Sequence, residues 1–231
     1  MEQPPVHPDS YDALMLRLSE QEGSIVKVCM EHMQRTPEFT MANMFGWGIA
    51  GRASAMTSGF RSMIEQKNSL CALPLLRMQL DNVLRLYAGF FATDHIDFCT
   101  KIFRGDRIDR MKSFDGHRMT DKFLVKRVAV QNPWMTRVYE TTSGYIHLSG
   151  KPIQHVIREE SDGTRHIIIG PQDKDRQPEQ FLDPILCMRH LNDILEHTLS
   201  DWFSRMCSPD GKVIPHPDHD TAQKRRQGVA G

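Results

Sequence analysis

The segment Ser69–Phe91 constrains the fold most, because it places an arginine inside an otherwise apolar helical face. Its apolar residues recur with the period of an amphipathic helix; they are Leu73, Leu76, Leu80, Val83, Leu84, Tyr87 and Phe91. Arg77 falls among these leucines, and Asp81 lies one turn later at the edge of the face. An arginine among leucines is costly unless a partner balances its charge. The chain must therefore bring polar groups from another element to Arg77.

A second segment, Trp134–Ser149, supplies such groups. Tyr139, Ser143 and His147 recur every four residues, so on a helix they form one stripe over roughly 12 Å of the helix axis. The stripe lies at the border of an apolar face, where a helix both packs and presents polar groups. Arg77 is therefore expected to contact this stripe.

The boundaries of this second helix are marked by proline and glycine. Asn132 is expected to cap the helix and Pro133 to occupy its first position. Gly150 and Pro152 are expected to end it.

Further helices follow from the same period and from capping residues. They are predicted over residues 11–34, 39–66, 94–104 and 121–131, and from about 178 or 184 to 206. Ser10, Thr93, Thr120 and Asp183 are the predicted caps, the last for a helix that begins at Pro184. Glycines within 39–66 also permit a break into two helices.

Between the second segment and the last helix the period changes from 3.6 to 2, which predicts a β-hairpin. Its strands are Ile153–Glu160 and Arg165–Ile169, joined by a two-residue Asp-Gly turn. This register places Glu160 opposite Arg165 and Val156 opposite Ile169. Because an isolated hairpin is marginal in water, it is expected to lie against the helices.

The predicted fold is mostly α: an irregular bundle of six or seven helices with one β-hairpin, at about residues 153–169, before the last long helix. Residues 1–209 are expected to form a single helical domain, in which residues 1–9 are loose. Residues 210–231 contain few apolar residues and are expected to be a disordered C-terminal tail.

Charge and composition exclude several classes of protein. Lysine plus arginine equals aspartate plus glutamate, at 29 each, so the chain lacks the net positive charge typical of nucleic-acid-binding domains. No apolar run approaches the ~20 residues of a membrane span, and the start lacks the pattern of a secretory signal. Five widely spaced cysteines are typical of reduced core thiols. A cytoplasmic location without membrane contact is therefore expected.

The motifs L-L-R-M-Q-L-D-N and Y-E-T-T-S-G-Y-I-H-L-S resemble those of an uncharacterised family of bacterial helical bundles. That family carries Arg-x3-Glu/Asp on one helix and Tyr-x3-Ser-x3-His on a later one, and the likeness spans roughly residues 70–149. Arg77, Asp81, Tyr139, Ser143 and His147 fall on the family positions, with aspartate where glutamate is more usual. The resemblance implies a helical bundle with a shared polar cluster and no established reaction.

More distantly, such proteins are similar to HEPN (higher eukaryotes and prokaryotes nucleotide-binding) bundles, many of which are ribonucleases of toxin or antiphage systems. HEPN ribonucleases use an Arg-x4-6-His motif at the start of a late helix. The sequence that matches this spacing runs from Arg110 to His117 and crosses an Asp-Gly turn, so it departs from the helical context of the motif.

Two interpretations of the five residues remain open. In the catalytic one, His147 is the general acid or base, Asp81 orients Arg77 as an anion clamp, and Ser143 and Tyr139 form hydrogen bonds. In the structural one, Arg77 pairs with Asp81 and the two helices lock together through a satisfied polar network. A Ser-His hydrolase is disfavoured, because one helix supplies no strained nucleophile turn and no oxyanion hole.

The favoured function is a non-catalytic binding, sensing or structural bundle, and the alternative is an HEPN-like ribonuclease. A small anionic ligand or RNA is the expected partner, a homodimer is compatible with the sequence, and no cofactor is expected. His190, Asp193 and His197 share one face of the last helix, but no accompanying motif indicates a metal site, so a solvated face is favoured.

Overall fold

Helices form most of the structure in the computed structural model, which describes residues 10–36, 38–147, 150–159, 161–170, 173 and 176–207. The helices are α1 (Tyr11–Arg35), α2 (Met41–Glu65), α3 (Ser69–Phe91), α4 (His95–Phe103), α5 (Asp121–Val128), α6 (Trp134–Ile146), α7 (Gly150–His155) and α8 (Leu182–Met206). Strands β1 (Ile157–Glu159) and β2 (Arg165–Ile167) pair antiparallel. The predicted mostly-α fold with one hairpin is confirmed, and the described residues include one helix more than predicted, α7.

The long helices α1, α2, α3 and α8 pack around one apolar core, and α3 also contacts α5 and α6. Trp202 of α8 is fully buried and donates its indole N–H to the Ala42 carbonyl at 2.9 Å. Two glycines allow the helices to approach this ring. A Cβ added at Gly46 of α2 or Gly89 of α3 would lie within 3 Å of the Trp202 ring. The break that the glycines of this segment permit does not occur, since Met41–Glu65 is one continuous helix.

A chain of hydrogen-bonded amide side chains crosses the core. Gln79 of α3 donates to Asn192 of α8 at 2.6 Å and accepts from Asn82 at 2.8 Å. Asn192 donates in turn to Gln21 of α1 at 3.4 Å. We call these four residues the buried amide chain. Gln79, Asn82 and Asn192 are each 0% exposed, so their partners satisfy polar groups that would otherwise be costly to bury.

Some of the predicted helix caps agree with the structure, and others do not. Asp183 is not a cap, because it lies inside α8, which begins at Leu182 directly after the 3-10 helix Pro178–Phe181. Ser10 and Thr120 cap α1 and α5 as predicted, through hydrogen bonds to Ala13 N and Phe123 N. The predicted cap Thr93 is wrong. Asp94 caps α4 instead, because its carboxylate accepts from two backbone N–H groups of the first turn.

The end of α6 also differs from the prediction. The helix ends at Ile146, and His147 has extended backbone angles, φ −104° and ψ 119°. Gly150 and Pro152 belong to the short helix α7 instead of a loop. No side-chain cap precedes α6, and Asn132 contributes its backbone carbonyl to Met135 N. Tyr139 and Ser143 therefore share a helical stripe that His147 leaves.

The hairpin differs in register by one residue. Glu159, not Glu160, lies opposite Arg165, and Val156 accepts a backbone hydrogen bond from Ile168. The register centres the connection on Asp162, so the predicted two-residue turn is wrong, and Gly163 has a φ of +84°. The described strands do not show the expected packing against the helices.

The isoleucine side chains of the hairpin are exposed instead of packed against the helices. Ile167 is 72% exposed and Ile169 is 91% exposed. Within the part of the chain that the structure describes, these side chains therefore lack the apolar cover that an isolated hairpin needs.

The cysteines agree with the prediction of reduced core thiols, with one exception. All five are free thiols, and Cys29, Cys99 and Cys207 are buried, whereas Cys71 is exposed and so is not a core thiol. None of the described helices combines the length and apolarity needed to cross a membrane. The predicted loose residues 1–9 and the whole predicted tail, 210–231, lie outside the described residues, and the single-domain prediction stays a prediction.

Candidate functional site

Arg77 is buried and paired, as its position in the apolar face of α3 requires. It is 8% exposed, and its Nη2 donates to Asp121 Oδ2 of α5 at 3.0 Å. The guanidinium lies over the Tyr139 ring of α6, at 4.6 Å from the ring centroid. Asp81, the predicted partner, is farther away, with 3.8 Å between Arg77 Nη1 and Asp81 Oδ1. The predicted contact with the Tyr139 stripe is confirmed, while the strongest ionic partner is a residue that the sequence did not single out.

Two more arginines join the same pair of aspartates. Arg85 Nη2 lies 2.8 Å from Asp81 Oδ1 and 2.6 Å from Asp121 Oδ1. Arg52 of α2 lies 3.7 Å from Asp81 and donates to the side chain of Asn82. We call Arg52, Arg77, Arg85, Asp81 and Asp121 the arginine–aspartate cluster. Through Asn82, this cluster is continuous with the buried amide chain.

Guanidinium donors exceed carboxylate acceptors in the arginine–aspartate cluster. Three arginines offer about fifteen N–H donors, whereas two carboxylates offer about eight lone-pair sites. The surplus is visible at Arg85, whose Nη1 is buried with no hydrogen-bond partner among the described residues. The two carboxylates therefore do not use every guanidinium donor of the cluster.

A pocket of about 380 Å³ opens beside the cluster. It is lined by Arg52, Arg77, Met78, Asp81, Asp121, Tyr139, Glu140, Ser143, Ile146 and His147. All five residues predicted from the sequence thus border one cavity, even though α6 ends before His147. The cavity is large enough for a small ligand, since such sites typically measure about 300–1,000 Å³.

The geometry of Ser143 and His147 bears on catalysis. Ser143 Oγ donates to the Tyr139 carbonyl within α6 at 2.6 Å. His147 is exposed, and in the described part of the chain no hydrogen bond joins its ring to Ser143. A catalytic serine needs a base within hydrogen-bond reach, and the base needs an orienting group. The pair does not form that arrangement here.

The other predicted positions lie elsewhere. Arg110 ends a short 3-10 helix and His117 lies in the turn that follows, where its ring stacks on Phe123, so their spacing is not helical, as predicted. On α8, His190 Nδ1 lies 3.8 Å from Asp193 Oδ2, and the His197 ring contacts the Asp193 carbonyl. Among the described residues, no group of three His, Cys, Asp or Glu side chains is arranged to hold a metal ion.

Arg52, Arg85 and Asp121 are the cluster residues that sequence reasoning missed. Arg85 follows Asp81 by one turn, so the pattern Arg-x3-Asp-x3-Arg on one helix was a usable signal. Asp121 follows the Thr120 cap, where an acidic residue already suits the helix dipole. Because this local role already explains an aspartate at position 121, its ion pairs with the arginines of α3 were not predicted.

Comparison with protein-family profiles, with curated protein sequences and with solved structures found no match.

Proposed function

We propose that this protein is a non-catalytic binding bundle whose pocket holds a small anionic ligand through the arginine–aspartate cluster. The observation that carries the proposal is that two arginines, Arg52 and Arg77, line the pocket, and that Asp121 and the Tyr139 ring hold Arg77 in place. Arginine binds carboxylate and phosphate groups in a fixed fork geometry, so preformed guanidinium groups favour such ligands. Tyr139 and His147 supply further polar groups at the pocket wall.

Preorganisation supports binding at Arg77 in particular. Asp121 and the Tyr139 ring hold this guanidinium from two sides, so little side-chain entropy remains to be lost when an anion arrives. Lysine at the same position would keep the charge but lose the planar stacking and the fork of donors.

The engaged Ser143 hydroxyl supports a non-catalytic role over an HEPN-like ribonuclease. Its proton is committed to a carbonyl of its own helix, and His147 lies at an exposed position without an orienting partner in the described residues. A cytoplasmic location belongs to the same proposal and is supported by the five free thiols, which persist where the environment is reducing.

Thermal unfolding in inorganic phosphate tests the proposal. Phosphate should raise the melting temperature of the parent protein above its value in chloride at equal ionic strength, because a ligand that binds the folded state stabilises it. Arg77→Lys should remove this difference. Titration calorimetry with phosphate should show the same loss of binding.

Arg127→Lys is the matched control. Arg127 also pairs with an aspartate at 3.0 Å and lies over an aromatic ring at 5.0 Å, but it does not border the pocket. A phosphate effect that is absent in the parent, or that survives Arg77→Lys, would contradict anion binding at this pocket. Cleavage of RNA by the parent that vanishes in both Arg77→Lys and His147→Gln, with folding intact, would contradict the non-catalytic role.

A further inference from the structure

Helix α1 is apolar on two sides, and the fold accounts for only one of them. Its buried side packs on α2 and α8 through Leu14, Leu18, Ile25 and Cys29. Its outward side carries four exposed apolar residues: Leu16, Val26, Met30 and Met33. We call these four the outward stripe. They are between 38% and 62% exposed, and Val26, Met30 and Met33 follow the i, i+4, i+7 spacing of a single helical face.

Gly23 lies within the same outward side, near the middle of α1. Glycine in a helix interior costs about 1 kcal/mol relative to alanine. A Cβ added at Gly23 would meet nothing within 4 Å, so packing within the chain gives no reason for its absence. An exposed glycine does allow a second helix to approach closely, because no side chain stands between the two backbones.

The charges beside the outward stripe select the direction of that second helix. Glu20 lies three residues before Gly23 and Lys27 four residues after it, and both are exposed on the same flank of the stripe. Two copies of α1 that cross antiparallel at Gly23 therefore bring Glu20 of each copy opposite Lys27 of the other. In a parallel two-fold pair the same flanks lie on opposite sides of the interface, so these two residues do not meet.

Glu20 and Lys27 are available for this pairing. Glu20 forms no ion pair with another described residue, and Lys27 has one long contact, of 3.9 Å, to a glutamate of its own helix. The apolar stripe, the glycine without an internal role and the self-complementary charges are separate observations that agree on one occupant.

We propose that this occupant is a second copy of the chain, so that two α1 helices pack antiparallel in a homodimer with Gly23 at the crossing point. The arrangement is isologous, as expected of a two-fold dimer: the same surface serves both partners. The outward stripe forms the apolar centre, and the Glu20–Lys27 pairs form a polar rim. Anion binding at the pocket is a separate property on which this interface does not depend.

Analytical ultracentrifugation of the full chain over a wide range of concentration tests the interface. The parent should sediment as a dimer, and Val26→Glu should shift it to a monomer by placing a carboxylate in the apolar centre. Val130→Glu is the matched control, since Val130 is 79% exposed and lies outside α1. It should leave the dimer intact.

Charge reversal tests the antiparallel direction. Glu20→Lys and Lys27→Glu, each alone, should raise the dimer Kd about tenfold, because each creates two repulsive pairs by symmetry. The double variant Glu20→Lys/Lys27→Glu should restore the parent Kd. Thermal melting monitored by circular dichroism checks that every variant is folded.

Three results would overturn the proposal. A parent that is monomeric throughout would assign the outward stripe to another partner. A dimer that persists in Val26→Glu would place the interface elsewhere. A double variant as weak as the single ones would exclude the antiparallel pairing.

Discussion

Asp121 is the residue on which the arginine–aspartate cluster depends most, since it binds two arginines within 3.0 Å. Arg77→Ala leaves Asp121 paired with Arg85, so we expect a loss of about 2 kcal/mol in the free energy of unfolding, mainly from the lost packing on Tyr139. Asp121→Ala leaves three arginines to share Asp81, and we expect a loss of about 3 kcal/mol. Urea denaturation of the two variants measures the difference.

The exposed pair Arg107–Asp109 provides the control for that comparison. Asp109→Ala removes a carboxylate from an ion pair of similar length at the surface, and stability should change little. A larger loss in Arg77→Ala than in Asp121→Ala would show that the cluster is not centred on Asp121.

Individual residues also show how much of a site can be predicted from the sequence. Arg77 was recognisable because it is a charged residue in an apolar face, and a buried charge needs a partner. Arg85 and Asp121 are not unusual among their neighbours in the sequence. Arg85 resembles a solvated arginine, and Asp121 resembles a carboxylate at the start of a helix. Their role arises from contacts between α3 and α5, which the period of a single segment does not encode.

At the scale of elements, two glycines of α2 distinguish the effect of side-chain packing on stability from the effect of helix propensity. A Cβ at Gly46 would lie 2.5 Å from a ring carbon of Phe203, whereas one at Gly48 would meet nothing within 4 Å. Gly46→Ala should destabilise by about 1–2 kcal/mol, because overpacking outweighs the helix-propensity gain. Gly48→Ala should stabilise by about 0.5–1 kcal/mol for the opposite reason.

Thermal and urea unfolding of these two variants provide the measurement. If Gly46→Ala were as stable as Gly48→Ala, the close approach of α2 to α8 would be wrong.

Element boundaries followed from the sequence where a local signal decided them. The span of α3 was predicted to the residue, and the caps Ser10 and Thr120 act as expected. The ends of α6 and the hairpin register were wrong, because two local patterns competed at each place. Gly150 can end one helix or begin another, and Asp162-Gly163 suits hairpin connections of more than one length.

For the whole molecule, the buried thiols predict a loss of stability at alkaline pH. Burial raises the pKa of Cys29 and Cys187 to about 11 and that of Cys207 to about 12, and it raises the pKa of Cys99 as well. Below about pH 9 each thiol is protonated in both the folded and the unfolded chain, so it adds no pH dependence. Above about pH 9 the unfolded chain ionises while the folded chain keeps its protons, so the free energy of unfolding falls as pH rises.

The expected fall is about 1.4 kcal/mol for each buried thiol between about pH 9 and pH 10. Cys99→Ala should make stability less sensitive to pH over this range, and Cys71→Ala, at an exposed position, should not. Urea denaturation at several pH values would contradict the explanation if both variants kept the pH dependence of the parent.

The buried amide chain limits how this molecule can move. A shift of α8 by one turn would replace Asn192 with Met188, Arg189, Leu195 or Glu196, and would leave Gln79 facing an apolar or a charged group. Each such packing lies well above the native one in energy, so α8 cannot slide along α3 as a shear element. Helices α5 and α6 contribute nothing to the buried amide chain, so it fixes the register of α1, α3 and α8 alone.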